Sequence, residues 1–141
     1  MGDDARWREI LRGLNHNFRH QIVTGEQVQR YIDERTDADL MPVFAQYLTT
    51  TMIPTFEYEL RGPTLRYRWS DVVPGFAMPV EVRTGPDTCA VLTPTSEWRS
   101  VDVALRDPDL IDVDADYYVQ VRRTGGSVRM AGADCAAAAR E

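Results

Sequence analysis

The chain has 141 residues, of which 43% are hydrophobic and 27% are charged, with a net charge of −6. This length and composition suit a single domain, or a small domain with a helical appendage, and exclude disordered and collagen-like chains. The acidic balance argues against a nucleic-acid partner, because a phosphate-binding face needs clustered positive charge. No stretch approaches the ~18 apolar residues of a membrane helix, so no membrane partner is predicted.

Residues 1–52 are predicted to form a helical segment of three short helices. The apolar residues of the first helix recur at steps of three and four, which places them on one face: Trp7, Ile10, Leu11, Leu14 and Phe18. The second helix begins at Thr24, which forms a T-x-x-Q capping box with Gln27. The third begins near Asp39, which can cap it, and tolerates Pro42 because that position lies in the first turn.

Residues 53–124 alternate in polarity at period two and are predicted to form a β domain. A hairpin is expected around Arg61-Gly62-Pro63, with one apolar face made of Phe56, Tyr58, Leu60, Leu65, Tyr67 and Trp69. Further strands are expected over residues 78–83, 90–93, 98–105 and 117–123. About six short strands at this spacing favour an antiparallel immunoglobulin-like β-sandwich, so the predicted fold class is α+β.

Residues 125–141 are rich in small residues and are predicted to form a flexible tail. The two cysteines, Cys89 and Cys135, lack the C-x-x-C spacing of a zinc or redox motif. A bridge between them stays open as an alternative but is not favoured, because Cys135 lies in the predicted tail.

The stretch HNFRH places His16 and His20 four residues apart within the first predicted helix, as in the zinc motif H-E-x-x-H. Asn17 occupies the position of the general-base glutamate and cannot accept a proton from a zinc-bound water. Both histidines project away from the apolar face, and Asp39 is explained as a helix cap. We therefore predict no catalytic, cofactor-binding or metal-binding residue here, with a minimal metalloprotein using His16, His20 and Asp39 as the alternative.

Two further features leave a ligand-binding alternative open. The acidic run over residues 107–116 offers carboxylate oxygens of the kind that calcium prefers, although it lacks the glycine and terminal glutamate of an EF-hand. Four aromatic residues could form a ligand platform but are more typical of a sandwich core: Trp69, Trp98, Tyr117 and Tyr118. A free-standing ligand-binding or calcium-binding sandwich is therefore the alternative function.

Several short motifs follow one another in a characteristic order. A threonine-capped helix over residues 24–35 leads to the turn TDADL, then to FAQYL, and then to Ile53-Pro54 at the entry to the first strand. The β domain continues with LRYRW, GFAMPVEV, PTSEW and YYVQVRR. In this order, over about residues 6–123, the chain resembles the C-terminal region of the aminopeptidase N and leukotriene-hydrolase-type zinc metallopeptidases. The match to the β domain is with the shorter bacterial members.

The resemblance implies a non-catalytic module that supports the catalytic domain and substrate cavity of a peptide-hydrolysing parent enzyme. The family's zinc helix, amine-anchoring glutamate and catalytic tyrosine lie N-terminal to the matched region, so no site residue is carried over. Zinc is implied in the parent enzyme and not in this chain, and no activity is expected of the chain alone. The implied partner is a zinc aminopeptidase catalytic domain, in cis or as a separate chain, with a homodimer as the alternative. Asp37 replaces the usual glycine of the TGKD-like turn.

Overall fold

Three helices precede the first strand in the computed structural model, which describes residues 4–138. Helix α1 spans Asp4–Phe18, α2 spans Gly25–Asp33 and α3 spans Met41–Thr49. These bounds agree with the three helices predicted from apolar spacing. Residues 1–3 of the predicted helical segment lie outside the described residues.

The start of α2 forms through the predicted capping box. The backbone N–H of Gln27 donates to the Thr24 hydroxyl at 3.3 Å, and the Thr24 N–H donates to the Gln27 side chain at 2.8 Å. These two bonds satisfy backbone N–H groups at the helix start that have no acceptor within the helix. At α3 the N-cap residue is Leu40, and Asp39 lies one position earlier and accepts from the N–H of Met41 at 3.2 Å. Asp39 was predicted to cap this helix, and it lies one residue before the observed N-cap.

Seven strands form two sheets. Their bounds are Thr55–Arg61 (β1), Thr64–Ser70 (β2), Val80–Gly85 (β3), Thr88–Leu92 (β4), Arg99–Asp102 (β5), Gln120–Arg123 (β6) and Val128–Met130 (β7). One sheet has the order β5-β2-β1-β6-β7, and the other is the β3-β4 hairpin. The combination of helices with two sheets confirms the α+β class. The expected β1-β2 hairpin is confirmed, with Phe56 opposite Trp69 and Tyr58 opposite Tyr67.

The pairing of β1 with β6 is parallel, with Phe56 opposite Val121. The prediction that all strands pair antiparallel is therefore wrong for these two strands. A parallel pair needs a crossover connection, and here the chain from β2 to β5 supplies it. Alternating polarity specifies which face of a strand is buried but not the direction of its neighbour.

One hydrophobic core lies between the two sheets, and both contribute to it. Its fifteen buried residues are Phe56, Tyr58, Leu65, Tyr67, Trp69, Phe76, Val80, Val82, Leu92, Val103, Leu105, Ile111, Val113, Val119 and Val121. Backbone hydrogen bonds also join β3 to the segment between β5 and β6. The N–H groups of Ala104 and Leu105 both donate to the carbonyl of Thr84 at 3.0 Å. The N–H of Arg83 donates to the carbonyl of Asp112 at 2.8 Å.

The segment after β6 is ordered differently from the flexible tail that we predicted. Strand β7 pairs antiparallel with β6, Ala133 and Cys135 are buried, and a short helix, α4, spans Cys135–Ala138. A disulfide joins Cys89 to Cys135, with their Cα atoms 5.7 Å apart. The prediction against this bridge is wrong, because pairing of β7 with β6 and of Ala133 with the acidic loop brings Cys135 to β4. Residues 139–141 of the predicted tail lie outside the described residues.

The side chain of Gln46 joins α3 to the β domain and is fully buried. Its Nε2 donates to the carbonyls of Met52 and Asp71 at 2.8 and 3.0 Å, and its Oε1 accepts from the N–H of Val73 at 2.7 Å. Next to it, the Tyr47 hydroxyl donates to the carbonyl of Tyr118 at 3.0 Å. These bonds satisfy polar backbone groups where strands end and fix the position of α3.

Within residues 4–138, none of the helices combines the length and the apolar character that crossing a bilayer requires.

Candidate functional site

Helix α1 exposes large apolar side chains on its surface. Ile10 is its buried residue, at 4% exposure, whereas Trp7 and Leu11 are 40% and 45% exposed. Residues four apart lie on the same side of a helix, so Trp7 and Leu11 form one exposed apolar strip, which we call the α1 strip. The predicted apolar face is thus divided into a part that packs on α2 and a part that meets solvent.

The contact between α1 and α2 centres on Tyr31. Its ring packs edge-on against Phe18 at 5.5 Å, and its hydroxyl accepts from Asn17 Nδ2 at 3.2 Å. A Cβ atom at Gly13 would overlap this hydroxyl, so the close approach requires glycine there. The Arg35 guanidinium lies 3.5 Å above the ring centre, a cation–π contact.

Two clefts lie on either side of Tyr31. One has a volume of about 410 Å³ and is lined by Phe18, Glu26, Arg30 and Glu34, among others. The other has a volume of about 400 Å³ and is lined by Arg6, Glu9 and Ile10. Small-molecule pockets are mostly apolar with a few placed polar groups. Both clefts combine charged side chains of both signs with the ring of Tyr31.

The structure separates the histidines of HNFRH from the groups that we considered with them. Helix α1 ends at Phe18, so His20 lies beyond it in the left-handed region, with φ of 60°. The interpretation that both histidines share one helix is therefore wrong. The Nε2 of His20 accepts from Arg19 Nε at 2.9 Å. Among residues 4–138, His16 and His20 do not form a close metal-binding group with Asp39.

The carboxylates of the acidic run shape their own loop. Asp107 accepts from the N–H of Asp109 at 3.0 Å and starts the 3₁₀ turn Pro108–Leu110. Asp112 pairs with Arg129 at 2.7 Å. Asp114, at 6% exposure, uses one oxygen for the N–H of Asp116 and the other for the N–H of Cys135. These bonds connect the loop to the last strand and helix, and the calcium alternative stays a prediction.

One group of metal-ligand types does come together among the described residues. Ligand atoms of Glu81, Asp114 and Cys135 lie within 4.8 Å of one another. The sulfur of Cys135 is bonded to Cys89, so it is not the thiolate that a metal binds. Both oxygens of Asp114 already accept backbone N–H groups. In this group, Asp114 and Cys135 hold the acidic loop to the end of the chain.

The four aromatic residues of the proposed platform divide between core and surface. Trp69 is buried at 1% exposure and donates from Nε1 to the carbonyl of Met78 at 3.1 Å. Tyr118 is 64% exposed and Tyr117 packs against the core. Trp98 lies on the outer face of the five-stranded sheet, where two guanidinium groups stack on its ring. The four side chains do not share one surface.

A charged row crosses the outer face of the five-stranded sheet at Glu57. This residue is 7% exposed, and its carboxylate pairs with Arg68 at 2.6 Å on β2 and with Arg122 at 3.4 Å on β6. Register places the three residues side by side. Arg68 also stacks on Trp98, at 4.6 Å from the ring centre. Complementary charges at alternate positions of TFEYELR and TLRYRWS are the sequence signal for this row.

The buried polar groups of the described residues are satisfied within the chain itself. Every buried side-chain nitrogen or oxygen among them has a hydrogen-bond partner. Burial raises the pKa of Tyr47 to about 12, and it also raises the pKa of Tyr58, where the Arg129 guanidinium opposes the shift. Both phenols are bound to backbone carbonyls. Trp7 and Leu11 of the α1 strip belong to a set of large apolar side chains that the described surface exposes.

The chain matches no protein-family model, and no curated protein matches its sequence. The resemblance to zinc aminopeptidases therefore rests on the order of motifs in the chain itself. One of those motifs, FAQYL, contains Gln46, whose role as a joint could not be assigned from the sequence. An even number of cysteines was the signal for the bridge between Cys89 and Cys135.

Proposed function

We propose that this chain is the non-catalytic C-terminal module of a zinc-dependent aminopeptidase-type enzyme, in which it supports the catalytic domain and helps to wall the substrate cavity. The order of motifs from Thr24 to Arg123 supports the family assignment. The arrangement of FAQYL supports it further, since Gln46 and Tyr47 hold a helical segment at one end of a β domain. A module with this joint can fix the position of a neighbouring helical domain.

The observation that carries the proposal is the α1 strip. Trp7 and Leu11 are 40% and 45% exposed on a helix whose other side is packed. Tryptophan is enriched among the residues that dominate binding at protein interfaces, and contiguous exposed apolar side chains mark interaction sites. The resemblance implies that the α1 strip packs on the helices that complete the family's catalytic domain.

The finer fold belongs to the same proposal. We infer that the β domain is a variant of the immunoglobulin-like sandwich that closes the shorter bacterial enzymes. Two observations support this inference. Both sheets contribute to one core, and β2 pairs antiparallel with β1 on one side and with β5 on the other. The parallel β1-β6 pair and the seventh strand are the departures from the arrangement that we expected.

The proposal is tested first in the genomic DNA upstream of the codon for Met1. We expect an in-frame or adjacent stretch that encodes H-E-x-x-H. That stretch is then produced as a zinc-loaded catalytic domain, and its binding to this chain is measured by sedimentation and calorimetry. We expect association, and faster release of N-terminal residues from peptides by the complex than by the catalytic domain alone.

Replacing the two residues of the α1 strip tests whether this surface binds the catalytic domain. Trp7→Asp together with Leu11→Asp should weaken association by roughly tenfold or more, which corresponds to about 1.4 kcal/mol. The matched control is Val91→Asp, at an apolar position of β4 that is 64% exposed, and it should leave association unchanged. Equal loss in both variants, or the absence of any H-E-x-x-H stretch upstream, would contradict the proposal. Self-association of the chain through the same residues would favour a homodimer instead.

A further inference from the structure

The last described segment of the chain lies between strand β6 and the acidic loop of residues 107–116. We call residues 128–136 the C-terminal strap. Its strand β7 pairs with β6, and after it the N–H of Ala131 donates to Val119 at 3.1 Å. The N–H of Ala133 donates to Val113 at 3.0 Å, and its carbonyl accepts from Ala115 at 2.8 Å. The strap thus connects β6 to the acidic loop.

Few buried side chains hold the strap in place. The residues of β7 are all exposed, with Val128 at 43% and Met130 at 47%. Within residues 124–136, Ala133 and Cys135 are the buried residues. Hydrophobic stabilisation scales with the apolar area that is removed from water, and these side chains are small. Arg129 pairs with Asp112, but its side chain is 42% exposed, which weakens the pair.

The bond between Cys135 and Cys89 is the covalent restraint on the strap, and it acts beside the β7–β6 pairing and the contacts of Arg129 with Asp112 and with the Ile111 carbonyl. It joins residues 46 positions apart, so its loss removes a long-range constraint on the chain. The N–H of Cys135 also donates to Asp114 at 2.6 Å, and this bond keeps its geometry only while the strap is in place. The β1-β2 hairpin makes no covalent link to the strap, and its side chains form the core.

We propose that the Cys89–Cys135 disulfide is a redox latch, and that its reduction releases the C-terminal strap while the rest of the β domain stays folded. Cys89 is half-buried and Cys135 is 3% exposed, so an attacking thiolate reaches the sulfur of Cys89 first. A dithiol reductant such as dithiothreitol forms a mixed disulfide with Cys89 and releases the Cys135 thiolate, which takes up a proton. The second thiol of the reductant then closes its own disulfide and frees Cys89. Two electrons and two protons pass to the cysteines, and the reductant is oxidised.

Release of the strap changes the surface of the β domain. β6 loses its partner on one side and presents unpaired N–H and C=O groups, which can pair with another extended chain. In an oxidising compartment, where disulfides persist, the strap stays closed. In a thiol-rich compartment it opens.

Amide hydrogen exchange of the whole chain, with and without dithiothreitol and with the thiols alkylated after reduction, tests the latch. We expect the amides of Ala131 and Ala133 to exchange at least about tenfold faster after reduction, because local opening sets their rate. The amides of Tyr67 and Trp69 in the β1-β2 hairpin are the internal control, and their rates should change by less than about twofold. The Cys89→Ser/Cys135→Ser variant should exchange rapidly at the strap with and without reductant.

Two results would overturn the proposal. If the strap amides keep their protection after reduction, the noncovalent contacts suffice and the disulfide is no latch. If the strap and the hairpin amides speed up together, or if the double-serine variant does not fold, the disulfide stabilises the whole domain and controls no separate segment.

Discussion

The helical segment, residues 4–49, and the β domain, residues 55–133, bury their side chains to different degrees. In α1, α2 and α3 the fully buried residues are Ile10 and Gln46, and Gln46 bonds to the β domain. The β domain has a core of fifteen buried residues, with Trp69 at its centre. Short helices are marginal without tertiary packing. The β domain therefore has a core of its own, while the helices depend on the joint at Gln46 and on the contact of α1 with Tyr31.

The two regions also use charge differently. In the β domain, Glu57 is 7% exposed and pairs with Arg68 and Arg122. In the helical segment, Glu26 and Arg30 form an (i, i+4) pair with both side chains more than 60% exposed. Burial strengthens an ion pair and raises the cost of breaking it, whereas an exposed pair contributes little. The same residue types thus have different energetic weight in the two regions.

The largest difference is expected between two tryptophans. Trp69→Ala removes a buried ring that packs on Phe56 at 6.0 Å and on Phe76 at 5.6 Å. This change should lower the free energy of unfolding by about 3–5 kcal/mol, the usual cost of a large core cavity. Trp7→Ala, at a 40% exposed position of α1, should cost about 1 kcal/mol or less. Urea unfolding measures both, and similar losses would contradict the contrast between the regions.

The joint between the regions is tested at Gln46. Gln46→Leu keeps the size of the side chain but leaves the carbonyls of Met52 and Asp71 and the N–H of Val73 without their partner. Each unpaired buried polar group costs about 1–3 kcal/mol. Because water can partly hydrate the three groups, Gln46→Leu should lower the free energy of unfolding by roughly 3 kcal/mol.

The matched control for the joint is Gln21→Leu, on the exposed loop after α1. It should change the free energy of unfolding by less than about 0.5 kcal/mol. Near-UV circular dichroism during urea unfolding reports the aromatic residues on both sides of the joint. Equal effects of the two substitutions would show that Gln46 does not couple the regions.

A smaller effect is expected at the charged row. Glu57→Gln leaves Arg68 and Arg122 without their carboxylate, at side-chain exposures of 34% and 29%. Water reaches both guanidinium groups, so the loss should be about 1–2 kcal/mol rather than that of a fully buried pair. Glu26→Gln should cost only about 0.3–0.5 kcal/mol. Thermal melts at low and high salt compare them, and a larger loss at Glu26 would reverse the assignment.

An effect confined to alkaline pH is expected at Tyr47. Burial raises its pKa from 10.0 to about 12, so the folded state retains a proton that the unfolded state releases above pH 10. This contribution to stability is fully present below pH 10 and is lost as the pH rises toward about 12. Tyr47→Phe removes it, so the stability of wild type should fall more steeply over this range.

Urea midpoints measured across that alkaline range compare wild type with Tyr47→Phe. Tyr58 and Tyr117, whose pKa values burial also raises, are present in both proteins and cancel in the difference. Leu48→Ala, at a 63% exposed position of α3, is the control, and its stability curve should run parallel to that of wild type across this pH range. Parallel curves for wild type and Tyr47→Phe would mean that folding does not raise the pKa of the Tyr47 phenol.

Local patterns in the sequence predicted most elements of the fold. The capping box at Thr24, the apolar spacing of α1 and the alternation of β1 and β2 each depend on residues that are close in the chain. The α+β class follows from them. Strand β7 was missed because VRM is short and exposed on a small-residue segment, and it forms by pairing with β6.

The candidate site was less accessible from the sequence. The apolar face of α1 was predicted, but which of its residues pack and which meet solvent depends on where Tyr31 of α2 lies. The spacing of HNFRH suggested a shared helix face, and the end of α1 at Phe18 places His20 outside it.

By itself the sequence determined the helices, the hairpin and the faces that they bury, because capping, turn chemistry and periodicity act within a few residues. Only the tertiary structure decided that β6 runs parallel to β1, that Gln46 joins the two regions and that Cys89 meets Cys135. Each of these contacts joins residues far apart in the chain. Such contacts depend on the relative placement of whole elements, which no local pattern encodes.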